Sequence, residues 1–158
     1  MKKLLLFAVL ISGFVFGQFK ITDSSDNWEK VGNVQQFIFL YQKQDKSKAK
    51  IEYRDYTTIS TNPFGLDLSY YTFEFSTEPD TLDKIYQIIK DHFESKKQET
   101  MTLTFPEGNM TINFASGFGG YSCAFKFDKA NKNLEGDRSQ RSTGGFTMKQ
   151  ANKLFGKK

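Results

Sequence analysis

The chain predicts an α+β fold: an antiparallel β-sheet of about six or seven strands, one long helix over residues 80–97 packed on a face, and a short C-terminal helix over 147–155. Between Asp80 and Ser95, the residues Leu82, Ile85, Tyr86, Ile89 and Phe93 recur at spacings of three and four, which makes one apolar stripe of helical period. Most of the remaining chain alternates apolar and polar residues, and its many Phe, Tyr and Thr residues suit strands. With 158 residues, there is enough chain for one real core and too little for two comfortable domains.

The first residues are set apart from that domain. Met1, Lys2 and Lys3 form a short positive region, Leu4 to Phe16 is an apolar run broken only by Ser12 and Gly13, and Gly17 before Gln18 is a cleavage point. The run is shorter than the ~20 residues that span a bilayer, so the expectation is a signal peptide over 1–17 and a single domain over 18–158, exported to the periplasm or outside the cell. No cysteine lies near the cut to take a lipid anchor. No stable membrane anchor is expected after cleavage. The Phe16-Gly17 ending before Gln18 resembles the signals of exported Bacteroidota proteins, and the arrangement of the chain is similar to small secreted proteins of unknown function from that group. That resemblance implies export and brings no catalytic motif.

Loss of Lys2 and Lys3 leaves 20 basic residues against 18 acidic ones, so the net charge falls from +4 to +2. A balance so near neutral gives no reason to expect nucleic acid as a partner. Cys123 is the sole cysteine, so no internal disulfide can form and the core alone must hold the fold.

Taken in order, Phe19 and Ile21 alternate with Lys20 and Thr22 in an extended lead-in, Trp28 reads as a plug at the core edge, and Gly32-Asn33 as a turn. Phe37 to Tyr41 is apolar on both parities, which predicts a central strand covered on both sides. Lys43, Lys46, Lys48 and Lys50 cluster around the single acid Asp45; they form either a solvated hairpin tip or a contact for phosphate or an anionic glycan. Ile51, Tyr53, Asp55, Thr57 and Ile59 alternate with Glu52, Arg54, Tyr56 and Thr58 in a half-buried strand, and Thr61 to Gly65 is turn chemistry. Leu66, Leu68 and Tyr70 share one parity whereas Tyr71, Phe73 and Phe75 share the other, which predicts a bulge near Tyr70.

Thr77 or Asp80 caps the long helix, with Pro79 at its entry. Three β segments follow, at 101–105, 110–114 and 121–127, joined by turns at Pro106–Asn109 and Gly117–Gly120 into a meander. A polar loop over 129–145 leads into a short edge strand, and Thr147 caps a last helix that turns Met148, Ala151, Leu154 and Phe155 inward before Gly156. No solenoid-type repeat is visible.

Catalytic readings fail one by one. His92 is the only histidine, and it sits at the border of the apolar stripe, where it reads as a packing residue with one polar edge. Gly120 to Ala124 falls one residue short of the G-x-S-x-G elbow, continues a strand pattern, and follows His92 where such hydrolases need the histidine last. Cys123 shares the parity of Phe125 and Phe127 and reads as a buried thiol. Asn131 to Ser142 has the alternating oxygens of a calcium loop but lacks the bidentate Glu at its twelfth position. No metal or cofactor is expected. Asp80-Thr81-Leu82 resembles the Asp-Thr-apolar O-glycan acceptor of exported Bacteroidota proteins, which would make Thr81 the acceptor; helix capping explains the same residues.

What remains is the aromatic load, seventeen Phe and seven Tyr. Exposed tyrosine recognises proteins and sugars well, so the binding candidates are Tyr53, Tyr56, Tyr70 and Tyr71 with Lys43, Lys46 and Lys48. The expected function is a non-catalytic binding or interaction module whose partner is a protein or glycan. A carrier of a small apolar ligand, or a protein inhibitor or immunity factor, are the other readings.

Overall fold

The computed structural model describes residues 27–54, 70–129 and 140–157. The expected signal peptide over 1–17, the Thr61–Gly65 turn, Leu66 and Leu68, Tyr56, and most of the 129–145 loop lie outside them.

The fold is α+β, with two four-stranded antiparallel sheets in place of the expected single sheet. In the first sheet, β1 (Trp28–Val34), β2 (Ile38–Lys43), β3 (Lys48–Arg54) and β4 (Tyr70–Ser76) lie in sequence order. The helix α1 (Thr81–Ser95) follows. The second sheet then repeats the meander with β5 (Thr100–Phe105), β6 (Gly108–Gly117), β7 (Gly120–Lys129) and β8 (Gln140–Ser142), and α2 (Met148–Leu154) closes the chain. The described residues thus run twice through four strands and a helix, although the sequence shows no repeat. The strands divide into two sheets because α1 interrupts the ladder between β4 and β5 and both meanders have an apolar face to hide.

Strand register fixes which side chains point inward. Ile38, Tyr53 and Tyr71 are paired across β2, β3 and β4, as are Leu40, Ile51 and Phe73. On the second sheet the inward set includes Met110, Ile112, Phe114, Cys123, Phe125 and Phe127, all buried. The two inner faces meet through rings: Tyr53 to Phe127 at 4.7 Å, Phe73 to Phe127 at 4.9 Å and Phe75 to Phe105 at 4.7 Å between centroids. Burying a side chain of this kind contributes roughly 1.5–3 kcal/mol, so this aromatic layer is the main adhesive between the sheets.

Each helix packs on the sheet of the other half. α1 leaves the first meander and lies on β7, with Phe93 edge-on to Tyr121 at 5.0 Å and His92 stacked on Phe114 at 4.2 Å. α2 leaves the second meander and lies on β1 and β2. The helices touch where the Tyr86 hydroxyl donates to Asn152 Oδ1 at 3.1 Å. Leu82, Ile85 and Ile89 form the buried stripe of α1, with Tyr86 and Phe93 half-buried beside them. This exchange clasps the halves together.

Several expectations shift in detail. Gly32-Asn33 lies inside β1, beside a bulge between Lys30 and Gly32, and the turn comes at residues 35–37, where Gln35 takes a left-handed φ of 50°. Gly32 serves contact instead, since the C-terminal carbonyls of α2 press on it. β4 pairs with β3 without interruption from Tyr70 to Ser76, so no bulge occurs at Tyr70. Asp80 is the N-cap position of α1 but makes no capping bond; its carboxylate pairs with Lys84 at 2.8 Å, and the Thr77 hydroxyl donates to the Lys46 carbonyl. Thr147 caps α2 as expected, in a reciprocal box with Gln150. The one fully buried polar side chain among the described residues, Thr143, accepts the Phe125 N–H at 3.0 Å and extends the β7 edge.

Candidate functional site

The outer face of the first sheet carries the largest concentration of rings and cations that the described residues place on one surface. It arises from parity: the residues opposite to Ile38, Leu40, Ile51 and Tyr53 in β2 and β3 are Phe39, Tyr41, Lys50, Glu52 and Arg54. Register then sets Tyr41 between Lys30 and Lys50, and sets Tyr70 beside Arg54. The apolar run Phe37–Tyr41 was expected to be covered on both sides. Its outer half is covered instead by cationic side chains, whose stems pack on apolar surface while their heads reach water.

The contacts are specific. The Lys50 ammonium lies 5.0 Å from the Trp28 ring and 4.9 Å from Tyr41, Lys43 lies 5.4 Å from Trp28, and Lys30 lies 4.9 Å from Phe39. Phe39 is stacked with Tyr41 at 6.5 Å and tilted against Tyr70 at 5.8 Å. Each such cation–ring contact contributes roughly 0.5–1 kcal/mol near the surface. Lys48 pairs with Glu74 and Lys50 with Glu52, each at 2.8 Å. Burial first, and then the Glu52 charge, push the Tyr41 phenol above its ordinary pKa. The face remains positive, with Lys30, Lys43, Lys48, Lys50 and Arg54 against Glu52 and Glu74.

At one end the face runs into a cleft of about 480 Å³. Phe37 and Arg54 form one wall, Val34 and Ile38 reach it from the strands, and Gly144, Gly145 and Gln150 close it from the linker before α2 and from α2 itself. Arg54 is held between two rings, 5.5 Å from Phe37 and 5.2 Å from Tyr70. Tyr70 is fixed in turn by donating its hydroxyl to the Gln36 carbonyl at 2.7 Å. The Arg54 Nε is buried without a hydrogen-bond partner.

The residues expected from sequence are scattered. Tyr53 is 3% exposed and belongs to the ring layer between the sheets, so it offers no binding surface. Tyr71 also faces inward, half-buried, with the Arg141 guanidinium 3.6 Å over its ring. Tyr70 and Lys43 are on the outer face. Lys46 is at the β2–β3 hairpin tip, in the left-handed conformation, where Asp45 accepts from the Ser47 N–H at 2.9 Å. Lys48 is at the start of β3, paired with Glu74. Thr81 opens α1, and its hydroxyl accepts the Glu78 N–H at 2.8 Å, which employs it in the turn. Trp28, expected as a core plug, is instead an outer-face ring held between two lysines. Phe37, Phe39, Lys30 and Arg54 were not singled out from sequence as site residues, and Lys50 was read only as a member of the lysine cluster around Asp45, although strand parity places most of them opposite the core.

The residues tested for catalysis have structural occupations. His92 Nδ1 lies 2.7 Å from the Ile88 carbonyl and Nε2 lies 2.5 Å from Glu99 Oε1, so both ring nitrogens are engaged and the ring pins α1 to the approach of β5. The Glu99 carboxyl is held below the usual range by Lys97 and then by His92. Cys123 is 1% exposed, paired with Phe146, and burial pushes its thiol up. A maleimide or disulfide reagent should leave Cys123 unmodified in the native protein at pH 8 and label it fully in denaturant, as read by mass spectrometry. Rapid native labelling would contradict the packing. Among the described residues, no group of three or more His, Cys, Asp or Glu side chains is placed to hold a metal ion.

No protein-family model matches this chain, and no curated protein or solved structure matches it.

Proposed function

We propose that the protein is an exported, non-catalytic binding module, and that its contact surface is the outer face of the first sheet, which takes an acidic glycan chain. The observation that carries this reading is the Trp28–Tyr41–Phe39–Tyr70 row of rings interleaved with Lys30, Lys43, Lys50 and Arg54. Aromatic rings give a sugar flat apolar platforms, and the surplus of cations suits a partner bearing carboxylates or sulfates. The alternative of an apolar-ligand carrier, with its ligand between the sheets, has less support. That space is filled by Tyr53, Phe73, Phe75, Phe105 and Phe127 in mutual contact.

Trp28 is the only tryptophan and lies within the proposed surface, so its fluorescence reports directly. Titration with acidic polysaccharides, such as alginate, pectate or a sulfated galactan, should shift or quench Trp28 emission for at least one of them, with an effect that weakens at high salt. In the Tyr41→Ala variant, affinity should fall by about 1–2 kcal/mol while the melting temperature changes little. Unchanged emission with every polysaccharide, or full affinity in Tyr41→Ala, would remove the support for this surface.

A further inference from the structure

We propose that Arg54 is the carboxylate-binding residue of the cleft at the end of the ring face, and that the cleft takes a small acid bearing a flat ring. This rests on the binding-module reading and narrows it to one chemical group at one residue. Arg54 differs from the two lysines of β3 on this face. Lys48 and Lys50 each have a glutamate at 2.8 Å, whereas among the described residues the Arg54 guanidinium makes no side-chain hydrogen bond or ion pair, and its contacts are the rings of Phe37 and Tyr70. Its Nε is shut away without a partner. A guanidinium carries five donors in a fixed fork, and one of the five is already closed off here. The terminal Nη groups are not shut away with it, so the rings hold the open side of the fork in place for an incoming carboxylate.

The surroundings select the ligand. The cleft volume of 480 Å³ is within the range of small-molecule sites, and the described residues that line it include no carboxylate to compete for Arg54. One planar cation matches one planar carboxylate through the two terminal Nη groups. No lysine is among the described residues that line the cleft, so they leave the second charge of a phosphate dianion unanswered. Phe37 and Tyr70 flank the guanidinium and are 44% and 43% exposed, and Phe37, which lines the cleft, is the ring against which the body of the ligand would lie. On the opposite wall, Gln150 commits its amide oxygen to the Thr147 N–H and hydroxyl, at 2.8 and 3.1 Å. Its NH2 group is then a donor available for a ring hydroxyl or the second carboxylate oxygen. An acidic sugar and an aromatic acid share this chemistry.

The two are separated by titrating the full chain with digalacturonate in one arm and 4-hydroxyphenylacetate in the other, each beside its uncharged amide. Binding is followed by calorimetry and by the NMR signals of the Arg54 Nε–H and the Gln150 amide. At least one acid should bind, its amide at least tenfold more weakly, and both signals should move. Arg54→Gln should weaken that acid at least tenfold, and Arg54→Lys, which keeps the charge and loses the fork, at least threefold. Both variants should keep the wild-type circular dichroism spectrum. A failure to bind either acid, or equal binding by wild type and Arg54→Gln, overturns the assignment. The wider reading fails separately: polysaccharides that still shift Trp28 emission in Arg54→Gln would leave the ring face standing and remove only the carboxylate role of Arg54.

Discussion

Replacing Ile89 with Asp should unfold the domain or lower its stability by roughly 4 kcal/mol or more, near the limit for single substitutions. Ile89 is fully buried at the centre of the α1 stripe, between Ile85 and the half-buried Phe93. A carboxylate there would have no cation to pair with along the stripe, and burying a charge unpaired costs more than the apolar contacts it replaces. The effect is enlarged by the exchanged packing of the helices. α1 follows the first sheet but lies on β7 of the second, so losing its seat separates elements from both halves. Ile89→Val, which removes one methylene and no more, should cost only ~1 kcal/mol. Chemical denaturation of the three proteins checks this. Near wild-type stability in Ile89→Asp would mean that α1 is not seated on the second sheet.

Much of this fold was readable from the chain because the relevant signals are local. The stripe from Leu82 to Phe93 locates α1 to within two residues at each end, and its C-terminus falls where Lys96 turns left-handed at φ 53°. The β5–β6–β7 meander was equally plain, since its turns fall at Pro106-Glu107 and Phe118-Gly119 between alternating runs. The division into two sheets was not readable. Alternation shows that a strand has one apolar face and says nothing of which other strands share its sheet. The same limit displaced Trp28, whose surroundings depend on cross-strand neighbours: Lys43 is its register partner and Lys50 comes from the strand beyond.

The candidate surface was partly legible, and the signal lay in parity. Tyr53 shares the parity of Ile51, which puts it inside; Arg54 shares that of Lys50 and Glu52, and Tyr70 is opposite to Tyr71, Phe73 and Phe75, which puts both outside. Counting tyrosines without that distinction mixed buried rings with exposed ones. The far wall of the cleft had no such signal. Gly144, Gly145 and Gln150 reach Arg54 only because α2 crosses back to the first sheet, a consequence of tertiary packing that no local pattern encodes.

That crossing can be broken at one atom. A Cβ added at Gly32 would lie 1.9 Å from the Lys153 carbonyl oxygen and 2.6 Å from that of Leu154. Both obstacles are backbone, so no rotamer change relieves the clash, and Gly32→Ala must lift the end of α2 from β1. Ala151, Leu154 and Phe155, all buried, depend on that contact, and the Tyr86–Asn152 hydrogen bond goes with it. The expected loss is roughly 3 kcal/mol or more, the upper end of what overpacking costs. Gly117→Ala is the matched control, because an added Cβ there has no atom within 4 Å and the backbone φ is ordinary; it should change stability by about 0.5 kcal/mol or less. Hydrogen exchange separates local from global damage. If α2 is docked as described, the amides of Ala151 to Phe155 should lose protection in Gly32→Ala first, while those of β6 and β7 keep theirs. Wild-type protection of α2 in that variant would refute the contact and, with it, the closed wall of the cleft facing Arg54.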